Sequence, residues 1–254
     1  MTIDLNADVG EGLPGTDDLA LLGHVTSANV ACGGHAGDVE TMRATVRAAL
    51  ARDVAVGAHP SFPDHEHFGR REMTISASAL ATSLSDQLNA LATIADEFGL
   101  ALRHVKPHGA LYNMAARDRE LASIVVRAVR DFDARLTVVG LAGSVLLEVA
   151  RDAGLQTAGE GFADRAYQAD GTLVPRGLPG AVITDARLVV QRAVEMVTSG
   201  SVESATGVRV SLRLDTLCVH GDTPGAATLA EALRRGFALA GVQVTHRLGR
   251  RDGR

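Results

Sequence analysis

Tryptophan is absent from the 254 residues, which hold only two tyrosines and six phenylalanines, and the formal net charge is -5. Such a chain lacks both the basic stripe and the aromatic stacking platform of a nucleic-acid binder, so no nucleic-acid partner is expected. Two cysteines cannot build a disulfide framework, and neither C-x-x-C nor zinc-finger spacing occurs. Apolar runs such as 136–147 are too short and too broken by glycine to cross a bilayer. No basic segment followed by an apolar one opens the chain, so no secretory signal is expected and the cytoplasm is the default compartment. There is no phosphate loop of the G-x-x-x-x-G-K-[ST] type and no kinase signature. The dinucleotide fingerprint is missing too, because Gly10-Glu11-Gly12 does not supply it. If nucleotide is used, another chain is expected to bind it.

The scarcest charged residue is lysine. Of 25 basic residues, Lys106 alone is not arginine. A solvated surface charge tolerates that exchange, whereas a site needing a compact, strongly hydrated point charge does not. The position that kept lysine therefore attracts attention.

What is present is an apolar fraction of 46% against 22% charged, with seven prolines and no low-complexity tract. That describes a globular chain with a large core, and one domain over residues 1–254 is expected. Short apolar segments alternate with amphipathic ones. Strands are predicted at Ile3–Asp8, Ala28–Cys32, Val54–His59, Leu102–His108, Leu136–Leu141, Thr157–Phe162 and Leu214–His220. Helices are predicted at Asp38–Arg52, Ser76–Phe98, Arg119–Asp131, Ser144–Ala153, Asp185–Thr198 and Ala226–Ala240. Gly99, Gly154, Gly200 and Gly241 stand where helices close. Strands alternating with helices imply a parallel sheet, and this number of units suits a closed (β/α) barrel; an open doubly wound sheet is the alternative.

Alternate residues of a strand share a face. Asp4, Asn6 and Asp8 then fall together, as do His104, Lys106 and His108, and Thr216, Cys218, His220 and Asp222. Asp8, Asn29, His59, Lys106, His108, Glu160, Asp164, Arg165, His220 and Asp222 would converge at the C-terminal ends of the strands, where a parallel barrel carries its site. Ionisable groups are expensive to bury unless they pair or do chemistry. Plainer readings exist for each. Asp8 and Asp222 suit loop or helix caps, His104 suits a structural hydrogen bond, and Cys32 and Cys218 suit small core residues. The loop holding His65, His67, Arg70 and Arg71 is either a lid with an anion grip or a solvated loop. Asp8, His35 and His59 also resemble the ligand set of a divalent metal.

Seven blocks then stand out: Asp4–Gly12, Ser27–Asp38, Gly57–Pro60, Phe68–Arg71, Val105–Asn113, Glu160–Tyr167 and Cys218–Pro224. Together they resemble the LamB/YcsF family over nearly the whole chain. Gly34 departs from that pattern, which leads one to expect a bulky aromatic before His35; a widened pocket or a looser loop is expected. The resemblance implies a seven-stranded barrel of the glycoside hydrolase/deacetylase type. It implies the first of the three subunits of an ATP-dependent 5-oxoprolinase, which opens 5-oxo-L-proline to L-glutamate together with the other two; a homo-oligomer is compatible with it. On that reading Asp8 or Glu160 acts as general base, and Lys106 and His108 stabilise developing negative charge. Arg165, or Arg70 with Arg71, holds the substrate carboxylate, and Asn6, Asn29, Asp164, His220 and Asp222 complete the binding set. Two alternatives are a stand-alone metal-dependent amidohydrolase or deacetylase and a non-catalytic substrate-binding subunit.

Overall fold

The computed structural model describes residues 1–12, 17–221, 225–246 and 248. The elements run in the order β1 (Thr2–Val9), α1 (Asp18–Leu21), β2 (Ser27–Ala31), α2 (Val39–Leu50), β3 (Ala55–His59), α3 (Ala77–Asp96), β4 (His104–Val105), α4 (Gly109–Ala115) and α5 (Arg119–Asp133). They continue with β5 (Thr137–Leu141), α6 (Val145–Asp152), β6 (Gln156–Phe162), α7 (Ala186–Ser199), β7 (Ser201–Glu203), β8 (Arg209–Ser211), β9 (Thr216–His220), α8 (Ala226–Leu239) and β10 (Gln243–Val244).

Seven parallel strands close on themselves in the order β1-β2-β3-β4-β5-β6-β9, and β9 returns to β1. The expected seven-stranded barrel is therefore what forms. β10 adds a short parallel pairing at the start of β1. Ile3, Leu5, Ala7 and Val9 face the helices and are buried in the main apolar cluster. Asp4, Asn6 and Asp8, the alternate set, face inward and are buried as well. Helix ends follow local signals. Asp38, Ser76, Asp118 and Asp185 each accept a first-turn backbone N–H. Gly200 closes α7 in the left-handed region, at φ 65°.

Three departures from the sequence reading have local causes. The fourth strand is two residues long rather than seven, because Pro107 has no N–H to give the ladder. Its inward alternation nevertheless continues, with the backbone N–H groups of Lys106 and His108 donating to the carbonyls of Ala58 and Pro60. The segment Gly109–Ala115, for which no element is predicted, is a helix whose Ala110, Leu111 and Ala115 are buried. Between α7 and β9 lies an antiparallel hairpin, β7 with β8, too short for its alternation to register in sequence.

Candidate active site

The barrel interior is a hydrogen-bonded polar column rather than an aliphatic core. At its base Asp4 accepts from Thr26, Ser27 and Thr216 at 2.6–2.8 Å. Burial outweighs these bonds and raises its pKa above the usual 3.8. One layer up, Asn29 donates to Asn6 at 2.7 Å and to Asp8 at 2.8 Å, while Asn6 donates to Glu160 at 3.0 Å and Thr216 at 2.7 Å. His104 donates to Asn29 Oδ1 at 2.8 Å. Burial pushes its pKa down to about 3, so the ring is neutral, in keeping with its structural reading.

Lys106 stands at the centre. Its Nζ lies 2.7 Å from Asp8 Oδ1, 2.9 Å from Glu160 Oε1 and 3.1 Å from Cys218 Sγ, with the Phe162 ring face 5.5 Å away. Three protons meet three acceptors. Burial alone would lower the pKa of the ammonium. Asp8, Cys218 and Glu160 together outweigh it and hold the pKa well above 10.5. Burial likewise tends to raise the pKa of Asp8, but His59 and Lys106 reverse the balance and keep it well below 3.8. Lys106 is a fixed cation and Asp8 a fixed anion. Cys218 is a small core residue, as read, whose sulfur also touches the lysine.

On the adjoining wall, His59 Nδ1 is 2.7 Å from the Lys106 carbonyl and His108 Nε2 is 3.0 Å from that of Phe68. The two rings meet with His59 Nε2 and His108 Nδ1 3.0 Å apart. His35 stacks on His108 at 3.7 Å and reaches Glu11 at 3.3 Å. Across the mouth, His220 pairs with Asp164 at 2.8 Å and stacks on Phe162.

Above this column opens a cavity of about 640 Å³. Asp8, Glu11, His59, Lys106, His108 and His220 line it, together with Arg70, Arg165 and Arg176. Of the residues expected at the site, Asn6, Asn29 and Glu160 lie in the buried layer beneath the cavity and do not line it. Asp164 stands behind His220, and Arg71 is exposed and off the cavity wall. Asp222 lies outside the described residues. Arg165 lines the cavity while bracing the covering loop, donating to the Val174 carbonyl at 2.7 Å and the Ala181 carbonyl at 3.3 Å. The expected metal ligands divide. His35 and His59 gather with Glu11 and His108, whereas Asp8 gathers with Cys218 and His220.

Sequence reasoning missed Glu11, Tyr112 and Arg176. Glu11 had a signal, since it follows Gly10, whose φ of 75° makes the turn off β1. Tyr112 belongs to the helix that was not anticipated. Gly34 neither widens the cavity nor lines it. It lines a separate surface depression, where an added Cβ would meet Gln87 Oε1 at 2.2 Å.

A closed seven-stranded parallel barrel with an ionisable C-terminal mouth defines the class, the (β/α) barrels. The T48 deacetylase with substrate shares the fold at TM-score 0.51 and 12% identity, over 96% of this chain and 87% of that one. A candidate cellobiose-phosphate cleavage protein of Enterococcus faecalis V583 does so at TM-score 0.58 and 13% identity, over 96% and 97%. Within that class the chain belongs to the LamB/YcsF family, whose profile matches residues 3–251. It is similar to the lactam utilization protein of Thermus thermophilus, with 46% identity, TM-score 0.90 and coverage of 96% of this chain and 99% of that one.

Proposed function

We propose that the protein is a hydrolase that opens the lactam ring of 5-oxo-L-proline to L-glutamate, as one member of an ATP-dependent complex with two partner subunits. The observation that carries this reading is the 46% identity, over almost the full length, to a lactam utilization protein. The cavity chemistry is compatible with it. A lactam is a resonance-stabilised amide, and phosphoryl transfer from ATP to its oxygen would activate the carbonyl carbon. Water then adds to that carbon, the ring C–N bond breaks as the nitrogen gains a proton, leaving an acyl phosphate, and a second water hydrolyses the acyl phosphate to the carboxylate and inorganic phosphate.

Asp8 is the carboxylate positioned to orient the first water. Lys106 and Asn29 occupy its Oδ1, and its Oδ2 is directed to His59 at 3.4 Å. Lys106 holds Asp8 ionised and keeps Glu160 in place at 2.9 Å. His108 and His59 form the wall where the carbonyl oxygen would rest, and positive charge held between them would offset the charge developing there. Glu160 supports this arrangement from below. Arg165 and Arg70 face the cavity and suit the substrate carboxylate. The sole lysine is committed to carboxylates and no phosphate loop exists among the described residues, so ATP is assigned to the partner subunits.

The test is glutamate release from 5-oxo-L-proline. The expected result is none from this chain alone, and release only when partner subunits and ATP are both present. Release by the isolated chain without ATP would overturn the proposal and favour a stand-alone amidohydrolase.

A further inference from the structure

The meeting of His59 with His108 leaves an electrostatic problem. A carbonyl oxygen has no proton to give, so His59 Nδ1 and His108 Nε2, each against a carbonyl, both carry hydrogen. In the neutral rings the facing nitrogens are then bare. Two lone pairs 3.0 Å apart repel. Around them stand more acceptors: Asp8 Oδ2 3.4 Å from His59 Nε2 and Glu11 Oε1 3.8 Å from His108 Nδ1. Lys106 cannot relieve the contact, because its three protons already have acceptors. A cation belongs between these atoms, either a shared proton or a metal.

The surroundings favour the metal. One donor atom from each of Glu11, His35, His59 and His108 lies within 4.8 Å of all the others. Ligands about 2.0–2.2 Å from a tetrahedral ion are separated by roughly 3.4 Å. The separations here are 3.0 Å for His59 to His108, 3.3 Å for His35 to Glu11 and 3.8 Å for His108 to Glu11, which bracket that spacing. A shared proton would explain the first distance and would require neither of the other two groups. The outer N–H of His59 and of His108 is anchored on a backbone carbonyl, the support that orients metal-binding imidazoles.

We infer that Glu11, His35, His59 and His108 form a binding site for one divalent transition-metal ion. Three imidazoles and one carboxylate suit zinc, cobalt, nickel or iron better than magnesium or calcium, which prefer oxygen. Glu11, His59 and His108 line the cavity, so the ion would be a Lewis acid within reach of whatever the cavity holds. The ligand set keeps His35 and His59 of the sequence-based one and replaces Asp8, which Lys106 neutralises, with Glu11 and His108. The site stands apart from the lactam reading, because binding is a property of this chain alone.

The test uses the full chain, stripped with a chelator and titrated with Co²⁺ and with Zn²⁺, followed by calorimetry and by the visible spectrum of cobalt. The expected result is one ion per chain, a cobalt spectrum of low-coordinate imidazole type and a melting temperature that rises with metal concentration. His59→Ala and His108→Ala should each weaken binding by about 100-fold or more, and Glu11→Gln by at least about 10-fold. His24→Ala, remote from the cluster, should bind as the unaltered chain does, and excess Mg²⁺ should not compete. Should a histidine variant fail to fold, Glu11→Gln decides, since Glu11 is the one residue of the four that is not fully buried. No saturable uptake of either metal, or unaltered uptake by Glu11→Gln and the folded histidine variants, overturns the inference. Metal uptake without glutamate release in the complete complex leaves the site standing and sinks only the lactam proposal.

Discussion

At the residue scale, Lys106 is a compact cation locked between two carboxylates. Removing its charge with Lys106→Met leaves Asp8 and Glu160 facing each other in a buried layer. A loss of about 3–5 kcal/mol is expected, measured by urea denaturation. Lys106→Arg keeps the charge but introduces a larger planar group against Phe162 and Cys218. It should fold with about 1–3 kcal/mol less stability and lose most activity in the assembled complex. If both Lys106→Arg and Asp8→Asn leave that complex fully active, this chain binds substrate without catalysing. His104 supplies a second test. Its pKa lies near 3 in the folded state and near 6.5 when unfolded, so the unfolded chain binds the extra proton between those values. Its contribution is intact above pH 6.5 and is lost as pH falls toward 3, by about 1.4 kcal/mol per pH unit. His104→Gln retains an amide donor for Asn29. Its stability against pH should be shallower by that slope, and an unchanged slope would show that His104 does not titrate this way.

At the element scale, the strands are short and buried on both faces, so single glycines decide which side chains can share a layer. Gly57 on β3 faces His104 on β4. A Cβ there would lie 2.2 Å from His104 Nε2. Gly57→Ala should push the imidazole off Asn29 and cost about 1–3 kcal/mol, visible as a lowered melting temperature. His104→Ala in the same chain should restore part of it; equal losses in single and double variants would place the strain elsewhere. The elements were legible where periodicity was long, as in α3 with Leu80, Leu84, Leu88 and Leu91. They were not legible in α4 or the β7–β8 hairpin, because a seven-residue helix and three-residue strands offer too few repeats.

At the scale of the whole molecule, closure of β9 onto β1 brings residues from both ends of the chain to one mouth: Asp8 pairs in register with Asn29 on one side and His220 on the other. The cavity they enclose has its only lysine neutralised. The isolated chain should therefore show no saturable binding of magnesium ATP by calorimetry, and tight binding would move the nucleotide onto this subunit. No helix among the described residues is long and apolar enough to cross a membrane.

The strand count, the inward polar face and the place of Lys106 on it were determined by sequence alone, because alternation and composition are local properties. Which polar residues meet was decided by tertiary structure. Glu160 and Lys106 are far apart in sequence, and only barrel closure sets them 2.9 Å apart. Strand alternation could place Asp8, Asn6 and Asn29 on one interior surface, but not say which layer touches the cavity. It could not exchange Asp8 for Glu11 among the histidines, because that depends on the turn after β1 and on where the lysine ammonium comes to rest.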